Sequence, residues 1–112
     1  MVHECPQTGN SIGCLMDIVM KEFISFEWDE RKRLINIEKH GIDFPRAAKA
    51  LSQPHLESRS DQNGECRILA ICTETDDLIA IVYTMRGEVC RIISARATRK
   101  NERRTYRQIF LG

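Results

Sequence analysis

Seven basic side chains crowd the stretch from Arg91 to Arg107, accompanied by one acid, Glu102. That leaves 10 of the 17 basic and 15 of the 16 acidic residues elsewhere, so a chain with net charge +1 is strongly polarised along its length. Such a block is the electrostatic footprint of a polyanionic ligand or an acidic protein partner, and it also fits a solvated helix face. Four fragments stand out: Phe26-Glu27-Trp28-Asp29, Lys39-His40-Gly41-Ile42-Asp43-Phe44, Glu65-Cys66-Arg67, and Arg91-Ile92-Ile93-Ser94-Ala95-Arg96-Ala97-Thr98 followed by Glu102-Arg103-Arg104-Thr105-Tyr106. Guanidinium groups stay charged and hold oxyanions in a fork. An imidazole such as that of His40 gives or takes a proton near neutrality. Glu102 and Tyr106 stand four residues apart, hence on one face if their segment is helical. Glu65 and Arg86, beside expected turns, rank lower, and Trp28 reads as core.

Other chemistries find no support. The chain has no GxGxxG, P-loop, HExxH or paired-carboxylate motif, which argues against a nucleotide cofactor or a catalytic metal. His3, Cys5 and Cys14 match no standard metal-ligand spacing. Five cysteines without a CxxC pair argue against a disulfide framework. Reduced thiols are expected, with Cys66, Cys72 and Cys90 as small buried hydrophobes.

The elements that must position these residues are legible in the pattern. Residues 23–28 alternate and carry three aromatics, as a first strand does. Asp29 can cap a helix with Leu34 and Ile37 on its apolar stripe, and Lys39, His40 and Gly41 supply its end. A second helix opens near Asp43 with Pro45 in its first turn, shows Ala47, Ala48 and Leu51, and stops before Pro54. From there the period changes to two, with strands over 66–73, 78–84 and 89–95 and a further edge strand over 55–60. The turns between the last three strands are too short for parallel crossovers, so they form an antiparallel meander. Thr98 caps a final helix with Tyr106, Ile109 and Phe110 facing the core. The fold class is therefore α+β, an antiparallel sheet with two N-terminal helices and one C-terminal helix.

A chain of 112 residues fits one domain. Residues 1–24, punctuated by Pro6, Gly9 and Gly13, read as a loosely structured extension with an alternative start at Met20, and residues 25–112 form the domain. The apolar runs are far shorter than the roughly 20 residues of a membrane span, and the N-terminus lacks a secretory pattern, so a cytoplasmic location is expected.

In this order and spacing the four fragments resemble the BrnT toxins, the ribonuclease halves of bacterial type II toxin–antitoxin pairs, over roughly residues 25–107. The resemblance implies a RelE-like fold and a small ribonuclease that blocks growth until silenced by a BrnA antitoxin. That partner is a ribbon-helix-helix DNA binder, so operator DNA would be bound only through the complex. Metal-free RNA cleavage turns the ribose 2′-OH on the adjacent phosphate and needs a base, an acid and fixed positive charge. On this implication Arg91 and Arg96 clamp the phosphate with Arg67 as a third cation. His40, with Lys39 beside it, is the acid or base; Glu102 serves as base; Tyr106 stacks or donates a proton; Arg99, Lys100 and Arg103 hold the RNA backbone. Plainer roles stand beside these: an Arg96–Glu102 ion pair, a capping His40, a core Tyr106. Strict alternation puts Arg91 and Arg96 on opposite strand faces, and they converge only if the strand ends or bulges near Ala95. An alternative of a different class is a non-catalytic module that binds antitoxin or RNA through its basic C-terminal face.

Overall fold

A computed structural model of the protein describes residues 16–62 and 64–110. His3, Cys5, Cys14 and the first part of the expected extension lie outside the described residues. Nine elements follow in order: β1 (Asp17–Val19), β2 (Ser25–Glu27), α1 (Glu30–His40), α2 (Phe44–Leu51), β3 (His55–Arg59), β4 (Ile68–Glu74), β5 (Asp77–Arg86), β6 (Val89–Ala97) and α3 (Lys100–Phe110). They build one six-stranded sheet in the order β1-β3-β4-β5-β6-β2. The stretch from β4 to β6 is the expected antiparallel meander and β3 extends it in the same sense, whereas β2 joins the far edge in parallel with β6.

The two sheet faces are covered by different helices. On one, Phe44, Ala47 and Leu51 of α2 pack with Ala70, Cys72, Ile81, Tyr83, Cys90 and Ile92. On the other, Tyr106 and Phe110 of α3 lie against Leu56, Ile71 and Ala80. Among the described residues no helix is long and apolar enough to cross a membrane.

Asp29 caps α1 as expected, accepting from the Arg31 and Lys32 amides at 2.8 and 3.3 Å. Gly41 closes it at φ 71°, a left-handed conformation that glycine takes without steric cost, with its N–H on the Ile37 carbonyl. The apolar stripe differs from the expectation. Leu34 is 55% exposed, and the buried residue of α1 is Asn36, because α1 docks through side-chain hydrogen bonds to the sheet edge. Three further readings are corrected. Residues 55–59 are an interior strand, since Asp17–Val19, within the stretch read as a loose extension, takes the edge beside them. Strand β4 starts at Ile68, leaving Cys66 in the preceding connection, where it is disulfide-bonded; Cys72 and Cys90 are the buried free thiols. Finally, Thr98 donates to the Leu78 carbonyl rather than capping α3. The helix opens at Arg99, whose N–H is taken by the Glu102 carboxylate three residues on, half of a capping box.

Candidate active site

Strand β6 carries the candidate chemistry, and a bulge decides where it points. Val82 of β5 faces Ser94 while Tyr83 faces Ile92, so Ile93 has no partner on β5. An extra residue in one strand reverses the alternation beyond it. Cys90, Ile92 and Ala95 consequently all turn into the core beneath α2, and Arg91 and Arg96 both project from the opposite face. The bulge needed to bring the two arginines together exists, two residues earlier than the sequence suggested.

On that face Arg91 reaches across the parallel pair to Glu27, Nη1 to Oε2 at 3.0 Å. Arg96 holds Glu102 in a fork, with Nη1–Oε1 at 3.0 Å and Nη2–Oε2 at 2.9 Å, and also donates to the Ala97 carbonyl. Burial pushes the Glu102 carboxyl up, but the guanidinium and the Arg99 amide outweigh it and hold the group below its ordinary value. Glu102 is therefore a fixed anion that anchors the start of α3 to β6. Arg67 precedes β4; continuing the strand register by one residue sets it beside Thr84, whose β6 partner is Arg91. Its own partners are Glu65 at 2.8 Å and Gln62 at 2.9 Å. Arg99 and Lys100 are exposed, and Arg103 donates to the Thr98 carbonyl at 2.7 Å. Tyr106 is directed elsewhere. Its hydroxyl is 2.7 Å from Thr73 Oγ1 and its ring stacks on Phe110, which makes it part of the core under α3.

Lys39 and His40 stand at the outer edge of β6, beyond which β2 pairs only as far as Arg91. There Asn36 acts as a substitute strand. Its Nδ2 donates to the carbonyls of Ile42 and Ala95 at 2.9 and 2.8 Å, and its Oδ1 accepts the Ala95 amide at 3.1 Å. Between the end of β2 and this clamp opens a groove of about 190 Å³. Lys32, Ile35, Asn36, Lys39 and His40 form its helical wall, and the bulge residues Ile93 and Ser94 form the strand side. Positions 32, 35, 36, 39 and 40 make one stripe of a helix. That stripe was present in the sequence as a mixed polar and apolar series, and the apolar pair Leu34 and Ile37 masked it. Lys32, Ile35, Asn36, Ile93 and Ser94 are thus the groove residues that sequence reasoning left without a role. Glu27 lies in one of the four fragments, but its partnership with Arg91 has no sequence signal, because parallel pairing across the sheet edge cannot be read from spacing.

A mixed α+β scaffold that gathers cations along one strand, on a face and at an edge, is suited to a phosphodiester substrate. The class is given by the comparison with known families: residues 28–102 match the family described as the ribonuclease toxin, BrnT, of type II toxin–antitoxin systems. With most of its length matched, the chain belongs to the BrnT family of ribonuclease toxins. The match runs from Trp28 to Glu102 and so contains Lys39, His40, Arg67, Arg91 and Arg96, while β1, β2 and Tyr106 fall outside it. No curated protein matches the chain.

Proposed function

We propose that this toxin is a metal-independent endoribonuclease with a RelE-like arrangement, working through the face and edge of β6. The observation that carries the reading is the Ile93 bulge, which turns Arg91 and Arg96 to the same side. In the reaction the ribose 2′-OH gives its proton to a base, O2′ bonds to the adjacent phosphorus, and the P–O5′ bond breaks as O5′ takes a proton. The products are a 2′,3′-cyclic phosphate and a 5′-hydroxyl. Arg91 and Arg96 stabilise the phosphorane charge, with Arg67 beside Arg91 as the third cation. His40 is the proton-transfer group, and Lys39 next to it adds positive charge. Arg99, Lys100 and Arg103 at the start of α3 take the RNA backbone. Phosphate displaces the half-exposed Glu27 from Arg91 when substrate binds, so that acid acts as a stand-in for the anion, while the buried Glu102 stays in place and aims Arg96.

Growth inhibition follows from cutting RNA, and a BrnA-like antitoxin that covers this basic face silences it; operator DNA is bound only through that complex. Purified protein incubated with end-labelled RNA in EDTA tests the reading. Cleavage leaving cyclic phosphate ends, lost in Arg91→Ala/Arg96→Ala with the fold retained, is the expected result. Cleavage that requires added metal, or that survives the double substitution, overturns it.

A further inference from the structure

The basic groups near β6 fall into two kinds. Arg67, Arg91 and Arg96 each hold a carboxylate already. Among the described residues the ammonium groups of Lys32 and Lys39 hold none. The two acids nearest in sequence to Lys32 are both occupied: Glu30 holds the Arg33 guanidinium and Asp29 caps α1. The groove between these lysines contains no acidic side chain: Ile35, 47% exposed, and Ile93 provide apolar surface, and Ser94 adds a hydroxyl. Lys32 and Lys39 are seven residues apart, roughly 10 Å along the helix axis, so they bracket the groove rather than converge on one anion. A ligand complementary to these walls is flat and apolar in the middle, polar at its rim and anionic at both ends.

We propose that the α1–β6 groove is a nucleotide subsite, occupied by one unpaired ribonucleotide adjoining the scissile phosphate, an assignment of occupant that rests on the endoribonuclease reading. The base lies between Ile35 and Ile93, the Ser94 hydroxyl bonds to the sugar or the base edge, and Lys32 and Lys39 take the two flanking phosphates. A base can enter this groove only when unstacked and unpaired, so the substrate is single-stranded RNA. Lys32 is a binding residue: it holds a phosphate that does not react, so its loss weakens substrate capture and leaves the chemical step in place.

The test uses the full chain and a short single-stranded RNA in two forms, unmodified for cleavage and fully 2′-O-methylated for binding without reaction. Binding is followed by fluorescence anisotropy over a range of salt. Lys32→Ala is expected to weaken binding of the methylated strand about tenfold, as one charge-assisted contact is lost, and to lower the slope of log affinity against log salt by about one. It should raise KM for the cleaved strand by a similar factor with kcat within about twofold. Ser94→Ala and Ile35→Ala weaken binding less and do not change the salt slope. Lys49→Ala, on the exposed side of α2, serves as the control and leaves both readouts at wild-type values. Wild-type binding by Lys32→Ala, with RNA still cut, overturns the subsite and leaves the nuclease reading intact. Lys32-dependent binding by a wild-type protein that cuts no RNA does the reverse: it upholds the groove and removes the nuclease reading.

Discussion

Two polar clusters sit on opposite sides of the central strands, and they use similar residues to opposite ends. In the groove beside β6, lysines and a histidine face solvent with no acid among them. Around β3 and β5, Lys21, His55, Glu57 and Tyr83 form a closed network. Lys21 Nζ lies 2.7 Å from Glu57 Oε1 and 3.1 Å from the Tyr83 hydroxyl, which itself donates to Glu57 Oε2. His55 is fully buried, with Nε2 2.8 Å from Glu57 and Nδ1 2.7 Å from the Gln53 carbonyl. Both ring nitrogens are thus engaged within the protein. Each of these polar groups has a partner inside the protein, which spends it on the fold. The histidine that matters for fold and the one proposed for chemistry differ in their partners, not in their type.

The contrast can be broken most forcefully at Glu57. Glu57→Gln removes the carboxylate that Lys21, His55 and a buried phenol share, and is expected to lower stability by about 3–5 kcal/mol, measured by urea unfolding. Cleavage per folded molecule should not change; a stability near wild type would show that the network is dispensable. Next in size are the arginines, where Arg91→Ala or Arg96→Ala singly should cut cleavage by about 10²–10³-fold. Arg96→Ala also frees the buried Glu102, so it alone of the two should lower the unfolding midpoint. Equal stability losses from both would mean that Glu27 anchors β2 as firmly as Glu102 anchors α3.

Acid provides a third, smaller lever. Burial raises the Glu57 carboxyl, yet His55, Lys21 and Tyr83 together hold it below its ordinary 4.5. Its folded-state pKa is depressed, so the stability it adds is present above about pH 4.5 and is lost as the pH falls through the lower folded value. Stability measured from pH 6 to 3 should fall below pH 4.5, and the fall should be shallower in Glu57→Gln. Tyr83→Phe ranks last. It removes the hydrogen bonds to Glu57 and from Lys21 while keeping the ring against Phe23, at about 2 kcal/mol, and leaves the groove untouched in an RNA-binding assay.

Why some of this was legible in the sequence and some was not follows from the range of the interactions. The capping Asp29, the left-handed Gly41, Pro45 in the first turn of α2 and the three-stranded meander are set by neighbours a few residues away, and each stands where the pattern puts it. The Arg96–Glu102 pair, six residues apart, was readable as an alternative for the same reason. Long-range pairings were not. Nothing in the short Asp17–Val19 segment announces a strand until β3 is placed beside it, and nothing in Leu34 or Ile37 reveals that α1 binds the sheet through Asn36. The bulge at Ile93 is intermediate: two arginines five residues apart pose the question of convergence, and only the pairing with β5 answers it. Tyr106 shared its spacing with both Glu102 and the apolar residues of α3, and packing assigns it to the latter.

The parallel pairing of β2 with β6 also governs when the molecule becomes competent. Glu27 and Arg91 are separated by 64 positions, so the sheet edge cannot close before β6 has left the ribosome. Helix α1, one wall of the groove, is made early, whereas its floor at Ile93 and Ser94 and the arginine face arrive late. Contacts of such high sequence separation form slowly and only after the intervening loop is closed. A nascent chain that lacks β6 carries neither the groove nor the arginine face.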